Sequence, residues 1–182
     1  MSAGAAATDP HDPDCEVAHG EVDPPAVDGR VLVAVYATPL ASVLLRWAAE
    51  LGFSTVLIEP DLGKVDDVHR TAAGRIVADP AEAGVTPTAD VVVTDHHRDD
   101  LGQTMAPLLI AQPRWIGIIG SPRHVPPHVE ALRAQGVPEA LIERVQRPIG
   151  IDIGSRTPPE IGLSVLAGLL ADRNERPLAA SR

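Results

Sequence analysis

Two short runs of β-forming residues, joined by an amphipathic helix, restrict the folds that are open to this chain. The first run, VLVAVY at Val31–Tyr36, is apolar throughout, which is typical of a strand buried on both faces of a parallel sheet. Apolar residues then recur with helical spacing from Leu40 to Leu51, and Gly52 follows as a helix stop. The second run, Ser54–Glu59, completes a unit of about 30 residues, the size of a right-handed βαβ crossover.

The following part of the chain continues this alternation of strands and helices. Further strands are predicted at Arg75–Ala78, Ala89–Thr94 and Trp115–Ile119, and the apolar run Ile149–Ile153 resembles another buried strand. Helices are predicted at Leu101–Gln112 (weakened by Pro107), Pro127–Gln135 and Pro138–Val145, and a last one follows the capping box Thr157–Glu160. The pattern predicts an α/β fold: a Rossmann-like, doubly wound, mostly parallel sheet in a single domain.

The two ends of the chain differ from this central part. Residues 1–28 are rich in Ala, Asp, Pro and Gly, and no Lys or Arg precedes Arg30. Such a composition cannot offset the entropy of ordering, so we expect residues 1–28 to be a disordered acidic tail. The Rossmann-like domain is expected to cover residues 29–174, and residues 175–182 are expected to be a C-terminal tail.

Charge and cysteine content limit the partners and the compartment. The formal net charge of -10 argues against nucleic acid as a partner. The single cysteine, Cys15, excludes an intramolecular disulfide, which fits a reducing cytoplasm. No run reaches the roughly 18 apolar residues that a membrane span needs, and the N-terminus lacks the features of a signal peptide. We therefore expect a cytoplasmic protein that does not enter a membrane.

Polar residues follow the predicted strands, at the edge where parallel sheets bind ligands. Ligands of doubly wound folds bind at the carboxyl ends of the strands, near the switch in strand order. The candidate ligand-binding residues are therefore Tyr36, Ala37, Thr38, Glu59, Thr94, His97, Gly120, Ser121, Arg123, Asp152 and Gly154. We expect these residues to line a single pocket.

The first strand-to-helix turn departs from the dinucleotide-binding pattern. That pattern, Gly-x-Gly-x-x-Gly/Ala, lets a pyrophosphate approach the backbone. Here the turn runs from Tyr36 to Ala41, and Ala41 alone matches the pattern. Thr38 and Pro39 indicate an ordinary helix cap, so the turn is a poor pyrophosphate cradle. Glu59, in contrast, ends the second strand about where a ribose-binding acid belongs.

Other strand ends leave alternatives open. Asp95 and His97 point to the same side of an extended chain and could share a metal ion, or they could be part of a polar loop. The turn from Gly120 to Arg123 could hold an anion or be a plain exposed turn. Asp152 could bind loop amides or a ligand hydroxyl. No Tyr-x-x-x-Lys pair, nucleophile elbow or Walker loop is present, so we predict neither catalytic residues nor a metal site.

Three motifs in the C-terminal half carry a resemblance to a known family. They are IGIIGS at Ile116–Ser121, PIGIDIG at Pro148–Gly154 and TPPEI at Thr157–Ile161, and ELGF at Glu50–Phe53 and VVVT at Val91–Thr94 extend the likeness. In order and spacing they resemble the C-terminal Rossmann domain of the XdhC/CoxI family. Members are accessory proteins of xanthine dehydrogenase and related molybdenum hydroxylases.

The resemblance implies a function. Family members are implied to bind the molybdenum cofactor, to assist its sulfuration and to deliver it to the apo-hydroxylase, as chaperones more than catalysts. This chain departs from the family where a glycine-rich turn is usual, at Tyr36–Ala41, and where a Cys or Ser often stands, at Arg147. The usual Thr-His-Asp-His is Thr94-Asp95-His96-His97 here.

Three functions remain open from the sequence. The first is a maturation protein for a molybdenum hydroxylase that binds molybdopterin at the carboxyl edge of the sheet. The second is a divergent interaction subunit that binds no nucleotide, which Tyr36 and Thr38 favour. The third is an NAD(P)-dependent oxidoreductase, which the fold class alone favours. A hydroxylase subunit is the expected partner, and the apolar, glycine-containing last helix makes a homodimer possible.

Overall fold

The structure, a computed structural model, describes residues 29–120 and 125–174. Within them a single parallel sheet is formed by β1 (Val31–Val35), β2 (Ser54–Ile58), β3 (Arg75–Val77), β4 (Ala89–Val93) and β5 (Trp115–Ile118). The order is β3-β2-β1-β4-β5, and every neighbouring pair is parallel. The Rossmann-like, doubly wound prediction is confirmed.

Helices connect these strands in the described part of the chain. They are α1 (Pro39–Glu50), α2 (Asp67–Ala72), α3 (Leu101–Ile110), α4 (Pro127–Ala134), α5 (Glu139–Ile142) and α6 (Pro158–Arg173), with short 3-10 turns at Leu62–Lys64 and Pro80–Ala83. Pro107 lies inside α3 and does not end it. No helix of the described residues has the length and apolar character that crossing a membrane requires.

The two faces of the sheet are covered by different helices. Along β1, Leu32 and Ala34 face clusters that contain residues of α1, α2 and α6, whereas Val33 and Val35 face residues of α3 and α4. A strand buried on both faces must be apolar at every position, which is the pattern that VLVAV shows. The sheet is therefore the central layer of three. Polar residues are accommodated at the ends of its strands.

The last helix packs on α1 through a glycine. A Cβ atom at Gly162 would lie 3.0 Å from Val43 Cγ1 of α1, so the absence of a side chain permits the close approach. At Gly168 the nearest atom to such a Cβ would be Ile151 Cγ1, at 3.9 Å. Gly162 thus serves a contact within the chain, whereas Gly168 has room for a side chain, and the homodimer stays a prediction.

Residues 149–153 were expected to form a strand, and that expectation is wrong. They form part of an irregular loop between α5 and α6, with Gly150 in the left-handed region at φ 83°. The Ile151 amide donates to Ser164 O at 3.1 Å instead of to a strand neighbour. β5 is extended on its outer side by a single parallel bridge, Gly117 to Gln146. The loop that follows lies beside β5 and reaches its carboxyl end at Ile119 and Gly120.

Candidate functional site

Threonine hydroxyls join the ends of β1 and β4, where the strand order switches. Thr38 Oγ1 donates to Thr94 Oγ1 at 2.9 Å, and Thr94 Oγ1 lies 2.9 Å from Val35 O and 3.0 Å from Tyr36 O. Thr38 Oγ1 also accepts the Ala41 amide at 3.1 Å, so it caps α1. Two of the predicted ligand-binding residues are therefore engaged in closing the crevice that such folds open to ligands.

Tyr36 stands at the first position of the β1–α1 turn and is fully buried. Its φ of 77° is left-handed, a conformation that glycine adopts without strain and that tyrosine rarely does. The side chain packs into the core cluster on the α3 face of the sheet, and burial raises the pKa of the phenol above its usual range. Tyr36 thus replaces a turn glycine while keeping its backbone conformation.

Glu59, at the end of β2, has no exposed surface and is held by four donors. Its Oε2 accepts the Ala37 amide at 2.8 Å, and its Oε1 accepts the Asp61 amide at 3.0 Å. Arg98 donates to the two oxygens at 3.2 and 3.0 Å. Burial alone would raise the pKa of Glu59, but Arg98 and the amides outweigh it and hold that pKa below its usual range.

The Arg98 guanidinium lies between Glu59 and the aromatic ring of Tyr36. Its Cζ is 4.4 Å from the ring centroid, within the range of a cation–π contact. Arg98 also contacts Asp100 at 3.4 Å. Sequence reasoning missed Arg98, because 39 residues separate it from Glu59 and no motif links the two.

An open cleft lies on the other side of the β4 end, between β5 and α6. Its volume is about 570 Å³, in the range of small-molecule sites. The lining is mainly apolar; we call the exposed Asp152–Gly154 turn the rim and the remaining isoleucines the floor. It is lined by His96, Ile119, Gly120, Pro148, Ile149, Gly150, Ile151, Asp152, Ile153, Gly154, Ser155, Ile161 and Ser164. Three predicted residues, Gly120, Asp152 and Gly154, thus lie in one cleft.

Positive charge is held at the β5 end of this cleft. A Cβ atom at Gly120 would lie 2.5 Å from Arg147 Nε, so glycine permits the guanidinium to rest against the strand end. His128, which is buried nearby, has a pKa lowered by burial and by the charges of Arg147 and His96. Arg147, where the resembling family often has Cys or Ser, therefore places a cation beside Gly120, which lines the cleft.

Asp152 and Gly154 form a small turn at the opposite rim. Asp152 is exposed, and its Oδ1 accepts the Gly154 amide at 3.2 Å. The loop leads into α6 through the predicted capping box, in which Thr157 and Glu160 bond to each other's backbone. Glu160 Oε2 also accepts the Arg156 amide at 2.7 Å. The rim carboxylate of Asp152 is consequently available to a ligand while the loop is fixed at its base.

The expected single pocket is corrected to two separate groups. Tyr36, Ala37, Thr38, Glu59 and Thr94 form the closed cluster, and the glycines and Asp152 belong to the cleft. His97 is exposed, and its amide donates to Asp95 Oδ1 at 2.9 Å. Ser121 and Arg123 lie outside the described residues. Within residues 29–120 and 125–174, no three His, Cys, Asp or Glu side chains are grouped to hold a metal ion.

A dinucleotide does not fit the β1–α1 turn of this chain. The Ala37 amide, which would face a pyrophosphate, is bonded to Glu59, and Pro39 has no amide hydrogen. Glu59, which would bind a ribose, has both oxygens occupied by Arg98 and the backbone. The fold and the cleft together define a Rossmann-like α/β protein in which an open cleft lies beside β5, whereas the first turn is closed.

A family model of the XdhC Rossmann domain matches residues 32–169. The chain belongs to that family, and the resemblance found in the sequence is confirmed. Over 70 residues it is 44% identical to the uncharacterized protein YqeB of Escherichia coli (strain K12), a match that covers 38% of this chain and 13% of YqeB.

A crystal structure of a xanthine dehydrogenase from Bacillus halodurans is also similar. It matches with a TM-score of 0.65 and 25% sequence identity, over 84% of this chain and 45% of that chain. The chain thus spans less than half the length of that protein, and its match to YqeB covers a smaller share still.

Proposed function

We propose that this protein is an accessory or maturation protein for a molybdenum hydroxylase of the xanthine or carbon monoxide dehydrogenase type. Membership of the XdhC family and likeness to a protein described as a xanthine dehydrogenase support this role. The partner is a subunit of that hydroxylase. The proposed compartment is the cytoplasm, where the lone Cys15 would stay reduced.

The cleft beside β5 is the observation that carries the proposal. It is built from the motifs that define the resemblance, since Gly120 belongs to IGIIGS and Pro148–Gly154 is PIGIDIG. The molybdenum cofactor contains a flat pterin with N–H donors and a phosphate. Isoleucines of the floor can pack on the ring, the Asp152 carboxylate can accept from ring N–H groups, and Arg147 can attract the phosphate.

The protein acts on this ligand by holding it, without chemistry of its own. The apolar floor excludes water from one face of a bound pterin, and the rim carboxylate fixes its orientation. An NAD(P)-dependent oxidoreductase is disfavoured by the occupied β1–α1 turn. The same turn favours an interaction subunit that binds no nucleotide. This alternative differs from the main proposal because the cleft of such a subunit would hold no ligand.

Titration with molybdopterin tests the proposal, with Asp152→Asn as the variant. The substitution keeps an acceptor for the Gly154 amide and removes the charge, so the fold should be retained while charge-assisted bonds to the ligand are lost. We expect binding to weaken by roughly ten- to a hundredfold, since a charge-assisted bond contributes about 1.5–3 kcal/mol. The melting temperature should stay within a degree or two of the wild-type value.

Glu143→Gln provides the matched control for that titration. Glu143 is an exposed carboxylate that does not line the cleft, so its loss changes the net charge equally and should leave the affinity unchanged. A wild-type protein that captures a hydroxylase subunit but binds no molybdopterin would point to the interaction subunit. Equal affinity of the two variants for molybdopterin would show that Asp152 is not part of the binding site.

A further inference from the structure

The donors that hold Glu59 are those that a phosphate would use. In a dinucleotide-binding fold, amides of the first turn and a nearby cation meet the pyrophosphate. Here the Ala37 amide reaches Glu59 Oε2 at 2.8 Å, and Arg98 reaches the two oxygens from the side of β4. A carboxylate from the end of β2 therefore takes the place of an external anion.

Several contacts fix this carboxylate and its donors in position. The Tyr36 ring lies under the guanidinium at 4.4 Å, and its left-handed backbone directs the next amide, that of Ala37, toward Glu59. The Asp61 amide adds a bond on the other oxygen at 3.0 Å. Glu59 has no exposed surface, so an incoming phosphate would have to displace a buried, paired charge.

The turn is also closed along α1. Thr38 Oγ1 caps the helix by accepting from Ala41 and is bonded to Thr94 Oγ1. Pro39, at the first helical position, contributes no donor. On the far side, His69 Nε2 lies 3.0 Å from Thr38 O. The Thr38 hydroxyl and the Ala41 amide, which face the start of the helix, are therefore already bonded within the chain.

We infer that the β1–α1 turn is an internally occupied anion site, in which Glu59 stands in for the phosphate and prevents dinucleotide binding. The inference concerns a different part of the sheet edge from the cleft, so it does not depend on the proposed function. It assigns Glu59, which the sequence pattern linked to ribose recognition, and Arg98, which no pattern identified, to keeping the turn in shape without a ligand.

Removal of the carboxylate tests the inference, with inorganic pyrophosphate as the probe. In Glu59→Ala the Ala37 amide and Arg98 face a vacated position, so the variant should melt at a lower temperature than the wild-type protein. Millimolar pyrophosphate should then raise the melting temperature of the variant by several degrees. The wild-type protein should not respond, because its site is filled. The double variant Glu59→Ala/Arg98→Ala should lose the response, because the cation is gone.

Glu143→Ala serves as the control, since it removes an exposed carboxylate and should melt equally with and without pyrophosphate. A pyrophosphate response in the wild-type protein equal to that of Glu59→Ala, or no response in a folded Glu59→Ala, would overturn the inference. Titration of the wild-type protein with NADH tests the inference without any variant. We expect no saturable binding at millimolar NADH, and binding that shifts the Ala37 amide resonance would contradict the inference.

Discussion

At the scale of single residues, two fully buried carboxylates have opposite surroundings. Glu59 is met by four donors, and its pKa is held low. Asp90, on β4, is paired with Arg114 through Oδ1, while its Oδ2 has no hydrogen-bond partner among the described residues. Burial outweighs the charge of Arg114 and raises the pKa of Asp90 to about 6. Asp90 is therefore costly to ionise, and Glu59 is not.

This difference predicts how Asp90→Asn changes stability with pH. A raised folded-state pKa means that Asp90 favours folding below its unfolded pKa of about 4, and that this contribution is lost as pH rises through about 6. Asparagine does not ionise. We expect the two proteins to unfold with similar free energy at low pH, and the variant to be more stable by up to about 3 kcal/mol near neutrality.

Urea unfolding at a series of pH values measures this difference. The expected result is a stability gap that opens across the pH range between the unfolded and the folded pKa of Asp90 and then stays constant. A gap that is the same at every pH would show that Asp90 keeps an ordinary pKa and that Arg114 fully compensates for its burial.

At the scale of elements, the loop between α5 and α6 lines the cleft, and a glycine in it permits close contact with α6. A Cβ atom at Gly150 would lie 2.3 Å from Ser164 Oγ and 2.9 Å from Ser164 C. The Ile151 amide, next to it, donates to Ser164 O. The loop is thus fixed by its contact with the second turn of α6 rather than by a strand pairing.

Gly150→Ala and Gly154→Ala separate steric contact from backbone strain. Both glycines have positive φ, 83° and 70°, but a Cβ at Gly154 would meet nothing within 4 Å. Gly154→Ala should cost about 1 kcal/mol of unfolding free energy from backbone strain. Gly150→Ala should cost a further 1–3 kcal/mol, roughly, because the loop must move off α6.

Thermal unfolding of the two variants measures the two losses of stability. Since Gly150→Ala pushes the loop from α6, it should also weaken molybdopterin binding more than Gly154→Ala does. Equal stability losses in the two variants would mean that the loop is free to shift and that α6 does not fix the cleft.

Local sequence patterns predicted the regular elements well. The strands begin where the apolar runs begin, and the strands ending at Val35, Ile58 and Val93 stop one residue before the predicted end. Burial on both faces makes such runs unmistakable. The helix α2 was not predicted, because six residues with a polar majority give no clear periodicity.

The parts that local patterns could not predict depend on contacts between distant residues. The apolar run Ile149–Ile153 was predicted as a strand, but its side chains line a cleft and Ile153 is exposed. The engagement of Glu59 by Arg98 and the left-handed backbone of Tyr36 arise from tertiary packing. The sequence therefore pointed to the strand ends, and it could not show that the candidates described there divide into a closed and an open part.

At the scale of the whole molecule, the carboxyl edge of the sheet has two halves. On the β1–β2 side, Glu59 and Arg98 fill the turn that related folds offer to nucleotides. On the β5 side, the loop that carries Asp152 packs against α6 and lines a cleft of about 570 Å³. The described part of the chain therefore has an open, mainly apolar cleft at one half of this edge and a closed turn at the other.

Amide chemical-shift mapping with 6-hydroxymethylpterin, a stable pterin probe, tests this division most directly. We predict that titration of the isotope-labelled protein moves the amide resonances of Gly150, Ile151 and Gly154 and leaves that of Ala37 in place. Shifts concentrated at Ala37 and the start of α1, with the loop beside β5 unchanged, would contradict the account.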